Sequence, residues 1–230
     1  MKESLLNKVF SIEEGETGRV GLLLIMSFFM GAFLATFSVA AQTQFLGLSD
    51  GSQKLPEAFV LSGVFGLFAT LAYNFLQNRI PFRLLAILSL LTIILIAAFI
   101  EFGHGYVEDD RAMKFFSYAQ IAPFTLVILL VFWGTFNRLF NVKQSKRLLG
   151  SVDQGALLAS LISFFSIPIV LNYIKVESLF TISLFGIVIF TILFVVLSAR
   201  FADESWSLKS EKQFNQKLST FSFFKKSCDK

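Results

Sequence analysis

The sequence predicts an all-α membrane protein that crosses a bilayer six times. Six stretches carry no charged residue and are each about long enough to span a hydrocarbon core: 20–49, 58–78, 84–100, 115–137, 154–174 and 178–199. A segment of roughly 17–25 apolar residues forms a helix in hydrocarbon, because no water is present there to bond its backbone. The composition agrees, since 55% of the residues are hydrophobic and only 16% are charged.

The basic residues predict how these six spans, numbered 1 to 6 in chain order, are oriented. All but four of the 20 Lys and Arg residues precede span 1, follow span 6, or lie between spans 2 and 3 or spans 4 and 5. Cationic connections stay in the cytoplasm, so we expect both termini inside the cell and the protein in an inner cell membrane. The same distribution accounts for the net charge of +4 without nucleic acid as a partner. The four exceptions are Lys54, Arg111, Lys114 and Lys175.

Three regions follow from this pattern. Residues 1–19 are expected to form an amphipathic segment on the cytoplasmic surface, 20–200 the six-helix membrane domain, and 201–230 a basic cytoplasmic tail. The acidic residues before span 1 and the length of its apolar run argue against a cleaved secretory signal. The single cysteine, Cys228, and the single histidine, His104, provide no metal-ligand cluster. Catalytic spacings are also missing from the sequence, so it predicts no enzyme, no cofactor and no metal site.

The spans differ in their polar content. Spans 3 and 6 are almost uniformly apolar and are expected to face lipid, whereas spans 1, 2, 4 and 5 contain polar groups that are costly unless they face a bundle interior or a wet cavity. These four spans are therefore expected to surround a polar space. The amides predicted to bind a substrate there are Gln42, Gln44, Gln120 and Asn137. Hydrogen bonding between helices is an equally good interpretation of these amides.

Aromatic residues and glycines in the spans have simpler interpretations. Tyr118 and Phe136 are interpreted as packing residues rather than as stacking partners of a ligand. Gly31, Gly63 and Gly66 are predicted to let helices approach closely.

Asp153 is the residue most suited to a gate. It is expected to open span 5, directly after a cationic loop over 138–150, where it would pair with Arg79, Arg138 or Arg147 at the cytoplasmic mouth. The alternative is an ordinary acidic residue in a first helical turn, stabilised by the helix dipole. The cationic residues of that loop would either attract an anionic substrate or contact anionic lipid headgroups.

Three parts of the chain resemble the nucleotide-transporter branch of the major facilitator superfamily, which contains the ATP:ADP exchangers. The first is Glu14–Leu46, with an acidic entry to span 1, and the second is the tight turn Leu76–Phe82. The third combines Phe132–Asn137, which contains Phe-Trp-Gly, with the basic run Ser145–Gly150. This resemblance implies half of a major-facilitator-type fold and alternating access to a site near the middle of the membrane.

Departures from the family pattern limit what the resemblance implies about the substrate. ATP:ADP exchangers are expected to have a lysine within span 1, and this chain has none between Arg19 and Lys54. Of the family's general motif between spans 2 and 3, only Arg79 and Arg83 are present. The resemblance therefore implies a transporter of an organic anion, with a nucleotide as one candidate.

The expected partners are the lipid bilayer, the small-molecule anion, and either a second copy of the chain or a separate six-helix half. The alternative function is a membrane-anchoring or sensory domain, or a transporter half that does not transport.

Overall fold

The computed structural model describes residues 17–103 and 110–201, which form an all-α protein. Six spans within these ranges are long and apolar enough to cross a membrane, and span 4 is made of two consecutive helices. This confirms the predicted fold class, an all-α polytopic membrane protein. The helices are α1 (Thr17–Leu46, span 1), α2 (Gly51–Gln77, span 2), α3 (Phe82–Gly103, span 3), α4 (Asp110–Ala119) and α5 (Ile121–Leu139, both span 4), α6 (Val142–Val170, span 5) and α7 (Ser178–Phe201, span 6).

Predictions for residues 1–16, 104–109 and 202–230 lie outside the described residues. They include the amphipathic segment up to residue 16, the tail from residue 202 onward, His104 and Cys228.

The predicted cationic loop before span 5 is wrong, because α6 begins at Val142 rather than near residue 154. The connection after α5 is only Phe140 and Asn141. Asn141 and Gln144 form a capping box, in which the Asn141 amide donates to Gln144 Oε1 at 3.0 Å. Hydropathy marks where lipid ends and not where a helix ends, so a run of good helix formers such as Lys, Arg, Gln and Leu extends the helix into the polar region.

Span 2 is extended for the same reason. It begins at Gly51 rather than at residue 58, and Pro56 therefore lies inside the helix, beyond its first turn.

Span 1 is the centre of the bundle. It packs most extensively against spans 5 and 6 and also contacts span 4. Span 2 packs mainly on span 4, and span 3 mainly on span 6. A buried group of phenylalanine rings joins spans 1, 4 and 6, with the ring of Phe37 4.9 Å from that of Phe124 and 5.5 Å from that of Phe180. Pairs of rings at this separation add to the stabilisation from apolar burial.

Spans 3 and 6 were expected to be the outermost helices, and for this chain by itself that prediction is wrong. Within the apolar 18-residue window of each span, the buried share is 17% for span 2 and 22% for span 5. It is larger for span 3, at 33%, and for span 6, at 44%. Uniform apolarity does not tell a face that meets another helix from one that meets lipid. Spans 2 and 5 touch the bundle through narrow stripes of mostly small residues and expose large apolar side chains such as Phe68 and Phe165.

The crossing of spans 1 and 5 is closed by small residues. A Cβ atom added to Gly31 would lie 2.5 Å from the carbonyl oxygen of Ala156, and one added to Gly155 would overlap the carbonyl oxygen of Leu24. At the same place the Ala156 amide donates to Ser27 Oγ at 3.0 Å. Small residues let backbones approach closely, and close approach is a main source of helix association in lipid.

The crossing of spans 2 and 4 repeats this device where span 4 is broken. The helical hydrogen-bond ladder is interrupted just after Gln120, whose own amide still donates to the Phe116 carbonyl at 3.2 Å. α5 then starts with Pro123 in its first turn, where a missing N–H costs least. The freed Ala122 amide donates to Ser62 Oγ of span 2 at 3.1 Å. A Cβ atom on Gly66 would lie 3.1 Å from that of Ala122.

The prediction of close approach is confirmed at Gly31 and Gly66 and wrong at Gly63, which has open space on its side-chain side. Periodicity along one helix does not show which of two nearby glycines faces a neighbour.

Substituting Gly155→Ala should lower the free energy of unfolding by about 1–3 kcal/mol, because the new methyl group must displace the backbone of span 1. Gly150→Ala on the same helix is the matched control, since nothing lies within 4 Å of its added Cβ. Denaturation of the purified variants in detergent measures the difference. Equal loss of stability in both variants would contradict the close crossing.

Candidate functional site

The two ends of the bundle differ in how their charges are paired. At the end where spans 1, 3 and 5 begin, called the basic end, arginines lie over aromatic rings rather than beside carboxylates. The guanidinium carbon is 5.5 Å from the ring centre for Arg19 on Phe201, 4.3 Å for Arg79 on Phe75, and 3.7 Å for Arg138 on Phe82. Cation–π contacts hold an arginine in place without cancelling its charge.

Carboxylates lie mostly at the opposite end. Asp50, in the connection between spans 1 and 2, pairs with Lys54 at 3.4 Å and also with Arg111 of span 4. Glu101 of span 3 accepts a hydrogen bond from Thr181 of span 6. Among the described residues, Asp153 is the one acid in the half of the bundle near the basic end. The basic end therefore keeps a positive field that attracts anions.

Arg138 is held inside the bundle by its own helix and by span 3. Helical side chains lean toward the N-terminus of the helix, and Arg138 Nη1 accordingly donates to the carbonyl oxygen of Gly134 at 2.9 Å. The guanidinium then rests on the ring of Phe82. Gly134 leaves the space for that ring, because an added Cβ would lie 2.7 Å from one of its carbons. The Phe82 ring is in turn set against Phe194 of span 6.

Arg138 lines a cavity of about 370 Å³ between spans 2 and 4 at the basic end. The polar side chains around it are Thr70, Tyr73, Gln77, Asn137 and Arg138, and Trp133 forms part of its aromatic wall. Tyr73 is 5% exposed, and its hydroxyl oxygen is buried without a hydrogen-bond partner among the described residues. An unsatisfied buried hydroxyl is costly unless a ligand or water completes it. The cavity thus combines a cation with an aromatic and apolar wall, which suits an anionic organic group.

The four amides predicted to bind a substrate lie apart from one another. Gln42 is exposed and Gln44 is buried, both near the opposite end of span 1. The Gln44 Oε1 atom has no hydrogen-bond partner in the described part of the chain. Gln120 is buried at the break in span 4, roughly 26 Å along the helix from Asn137. Only Asn137 borders the Arg138 cavity, where it is exposed.

The residues predicted to form a gate are likewise separate in this conformation. Asp153 is the twelfth residue of α6 and not part of its first turn, so both interpretations that placed it at the start of span 5 need correction. It is partly buried and forms no ion pair within the described ranges. Arg79 and Arg138 are engaged with Phe75 and Phe82 instead. Arg147 lies on α6 and is partly buried.

Packing is confirmed as the role of the two aromatic residues. Tyr118 lies 4.8 Å from the ring of Phe45, and Phe136 lies 5.5 Å from that of Trp133. Both are buried.

Sequence reasoning did not single out Tyr73 and Phe82 as site residues. One signal could have pointed to Phe82, since a glycine four residues before an arginine in a membrane helix leaves room for a ring beneath the guanidinium. The position of Tyr73 depends on how span 2 meets span 4.

Comparison of the chain with models of known protein families, with curated proteins and with solved structures finds no match. The resemblance to the major facilitator superfamily therefore stays a prediction.

Substituting Tyr73→Phe should raise the free energy of unfolding by about 1 kcal/mol, because it removes a buried hydroxyl that lacks a partner. Tyr173→Phe is the control, since Tyr173 is 85% exposed and its hydroxyl is hydrated. Thermal unfolding in detergent compares the two. Clear destabilisation by Tyr73→Phe would mean that the hydroxyl is bonded in the apoprotein.

Proposed function

We propose that this chain is one six-helix unit of a transporter that moves an organic anion across a cell membrane by alternating access. The observation that carries this proposal is the Arg138 cavity, which is bordered by a partly buried arginine and by Tyr73, whose hydroxyl oxygen is buried without a hydrogen-bond partner among the described residues. Arg138 lies in the last turn of α5, at the basic end, and supplies the one cationic side chain that borders this cavity among the described residues. The excess of cationic over acidic residues in the described part of the basic end would concentrate anions near this cavity.

The helix arrangement supports the transporter interpretation. Both close crossings, of spans 1 and 5 and of spans 4 and 2, combine small residues with a serine hydroxyl that accepts a hydrogen bond from an alanine amide. The serine lies on span 1 in the first crossing and on span 2 in the second, so an exchange of spans 1–3 with spans 4–6 matches the helix pairs but not the donor and acceptor. Pairing of span 1 with span 5 and of span 4 with span 2 is what an inverted repeat of three helices produces.

A second six-helix unit is the proposed partner, either another copy of the chain or a separate protein. Spans 2 and 5 bury only narrow stripes of mostly small residues, so wide apolar faces such as those carrying Phe68 and Phe165 are available to a partner or to lipid. In alternating access the two units would rock around the site between them. Asp153, partly buried along span 5, is the proposed gate residue, and its arginine partner would be acquired when the basic end closes.

Uptake into proteoliposomes tests the transport proposal. A panel of radiolabelled organic anions, including nucleotides and carboxylates, should contain at least one that accumulates. Arg138→Gln should reduce that uptake roughly ten- to a hundredfold, because a charge-assisted contact is lost. Arg83→Gln at the same end is the matched control and should retain uptake, since Arg83 is exposed and does not border the cavity. Absence of uptake for every anion would favour a membrane-anchoring domain instead.

The basic end is proposed to face the cytoplasm of a cell with this protein in its inner membrane. In a Cys228→Ser background, Lys143→Cys should react with a membrane-impermeant maleimide only after permeabilisation, whereas Lys175→Cys should react in intact cells. Both lysines are exposed, at opposite ends of span 5. The reverse labelling pattern would invert the proposed topology.

A further inference from the structure

A second cavity lies beside the Arg138 cavity, on the other side of Tyr73. It is a groove of about 380 Å³ between spans 2, 3 and 4, and Tyr73 borders both spaces. Along span 2 it is lined from Phe65 to Leu76, which corresponds to about 17 Å of helix. The hydrocarbon core of a bilayer is roughly 30 Å thick, and one acyl chain fills about half of that thickness. The groove is therefore about as long as one acyl chain.

The walls of this groove are hydrocarbon in character. Most of its lining consists of aromatic and aliphatic side chains, including Phe68, Ile93 and Phe124. Two hydroxyls in the lining are already used by their own helix, since Ser89 donates to the Leu85 carbonyl at 2.8 Å and Thr92 donates to that of Leu88 at 2.9 Å. Gln120 adds one amide to the lining, and the remaining surface is apolar, so the groove suits an apolar chain.

The charge beside the groove limits what the headgroup can be. Arg138 is the one cationic side chain that borders either cavity within the described ranges. A nucleotide carries several negative charges on its phosphates, and each buried charge needs its own compensation. One guanidinium matches a single negative charge.

Resting on the proposed function, we infer that the anion is a single-chain amphiphile, with one negatively charged headgroup at Arg138 and Tyr73 and a hydrocarbon chain in the groove between spans 2, 3 and 4. Tyr73 stands where headgroup and chain meet, which accounts for a buried ring that carries an unpaired hydroxyl. Charge complementarity assigns the headgroup to the Arg138 cavity, and the apolar lining assigns the hydrocarbon chain to the groove.

Binding of radiolabelled hexadecanoate to the full chain in nanodiscs of neutral phosphatidylcholine tests this inference. After subtraction of the ligand held by empty nanodiscs of the same lipid, hexadecanoate should bind at least about tenfold more tightly than hexanoate, because only the long chain fills the groove. Hexadecanol should compete poorly because it lacks the charge, and ATP should compete poorly because it lacks the chain. Arg138→Gln should weaken the binding of both carboxylates.

A variant of the groove separates the chain from the headgroup. Ala72 lines the groove, so Ala72→Phe should remove the preference for the long chain while short carboxylates still bind. Leu71→Phe is the matched control, since Leu71 is exposed on the same helix and borders neither cavity. The chain-length comparison in the unaltered protein gives the same information without relying on the fold of a variant.

The outcomes distinguish failure of this inference from failure of the proposed function. Arg138-dependent binding that does not change with chain length, or that ATP blocks as well as hexadecanoate does, would overturn the amphiphile while leaving an anion site. Displacement of hexadecanoate by a two-chain anionic phospholipid at equal concentration would overturn the single-chain ligand. If no anion binds and no anion is taken up, both proposals fall.

Discussion

The close crossing of spans 1 and 5 is the constraint on which the rest of this bundle depends. Lipid tails are as apolar as leucine, so helices in a membrane gain little from hiding apolar surface and must gain from contact. Gly31 and Gly155 bring the two backbones together, and Ser27 adds a hydrogen bond to Ala156 at that point. With span 5 fixed on span 1, the phenylalanine group around Phe37 can join spans 4 and 6 to the same centre.

The second crossing gives the bundle its site. Span 4 is interrupted at Gln120, and Ser62 of span 2 bonds the amide that the interruption frees. Span 2 is thereby held against span 4 near the opposite end, while a cavity bordered by Tyr73 and Arg138 separates part of their surfaces near the basic end. The guanidinium of Arg138 is held by an aromatic ring rather than by a carboxylate, so its positive charge stays available to an anion.

The candidate site is assembled from residues whose sequence signals were of unequal strength. Arg138 and Asn137 could be singled out, Arg138 as part of the predicted cationic loop and Asn137 as an amide at the end of an apolar span. Tyr73 and Phe82 could not, since a tyrosine and a phenylalanine in an aromatic-rich membrane chain have no distinctive spacing. The expected pairing of Asp153 with an arginine depended on a loop that is helical, and the extra turns place Asp153 well inside span 5.

The sequence by itself determined that the chain is helical, that it has six spans, and which connections carry the positive charge. These properties follow from local hydropathy and charge, because hydrocarbon forces any long apolar segment to satisfy its backbone within one helix. The tertiary structure alone decided that spans 2 and 5 are the most exposed, that the hydrogen-bond ladder of span 4 is interrupted next to Gln120, and that Tyr73 and Arg138 border one cavity. Those features depend on which helix faces are in contact. Two faces of equal apolarity cannot be distinguished in the sequence, and only the packing of the helices determines which of them is buried.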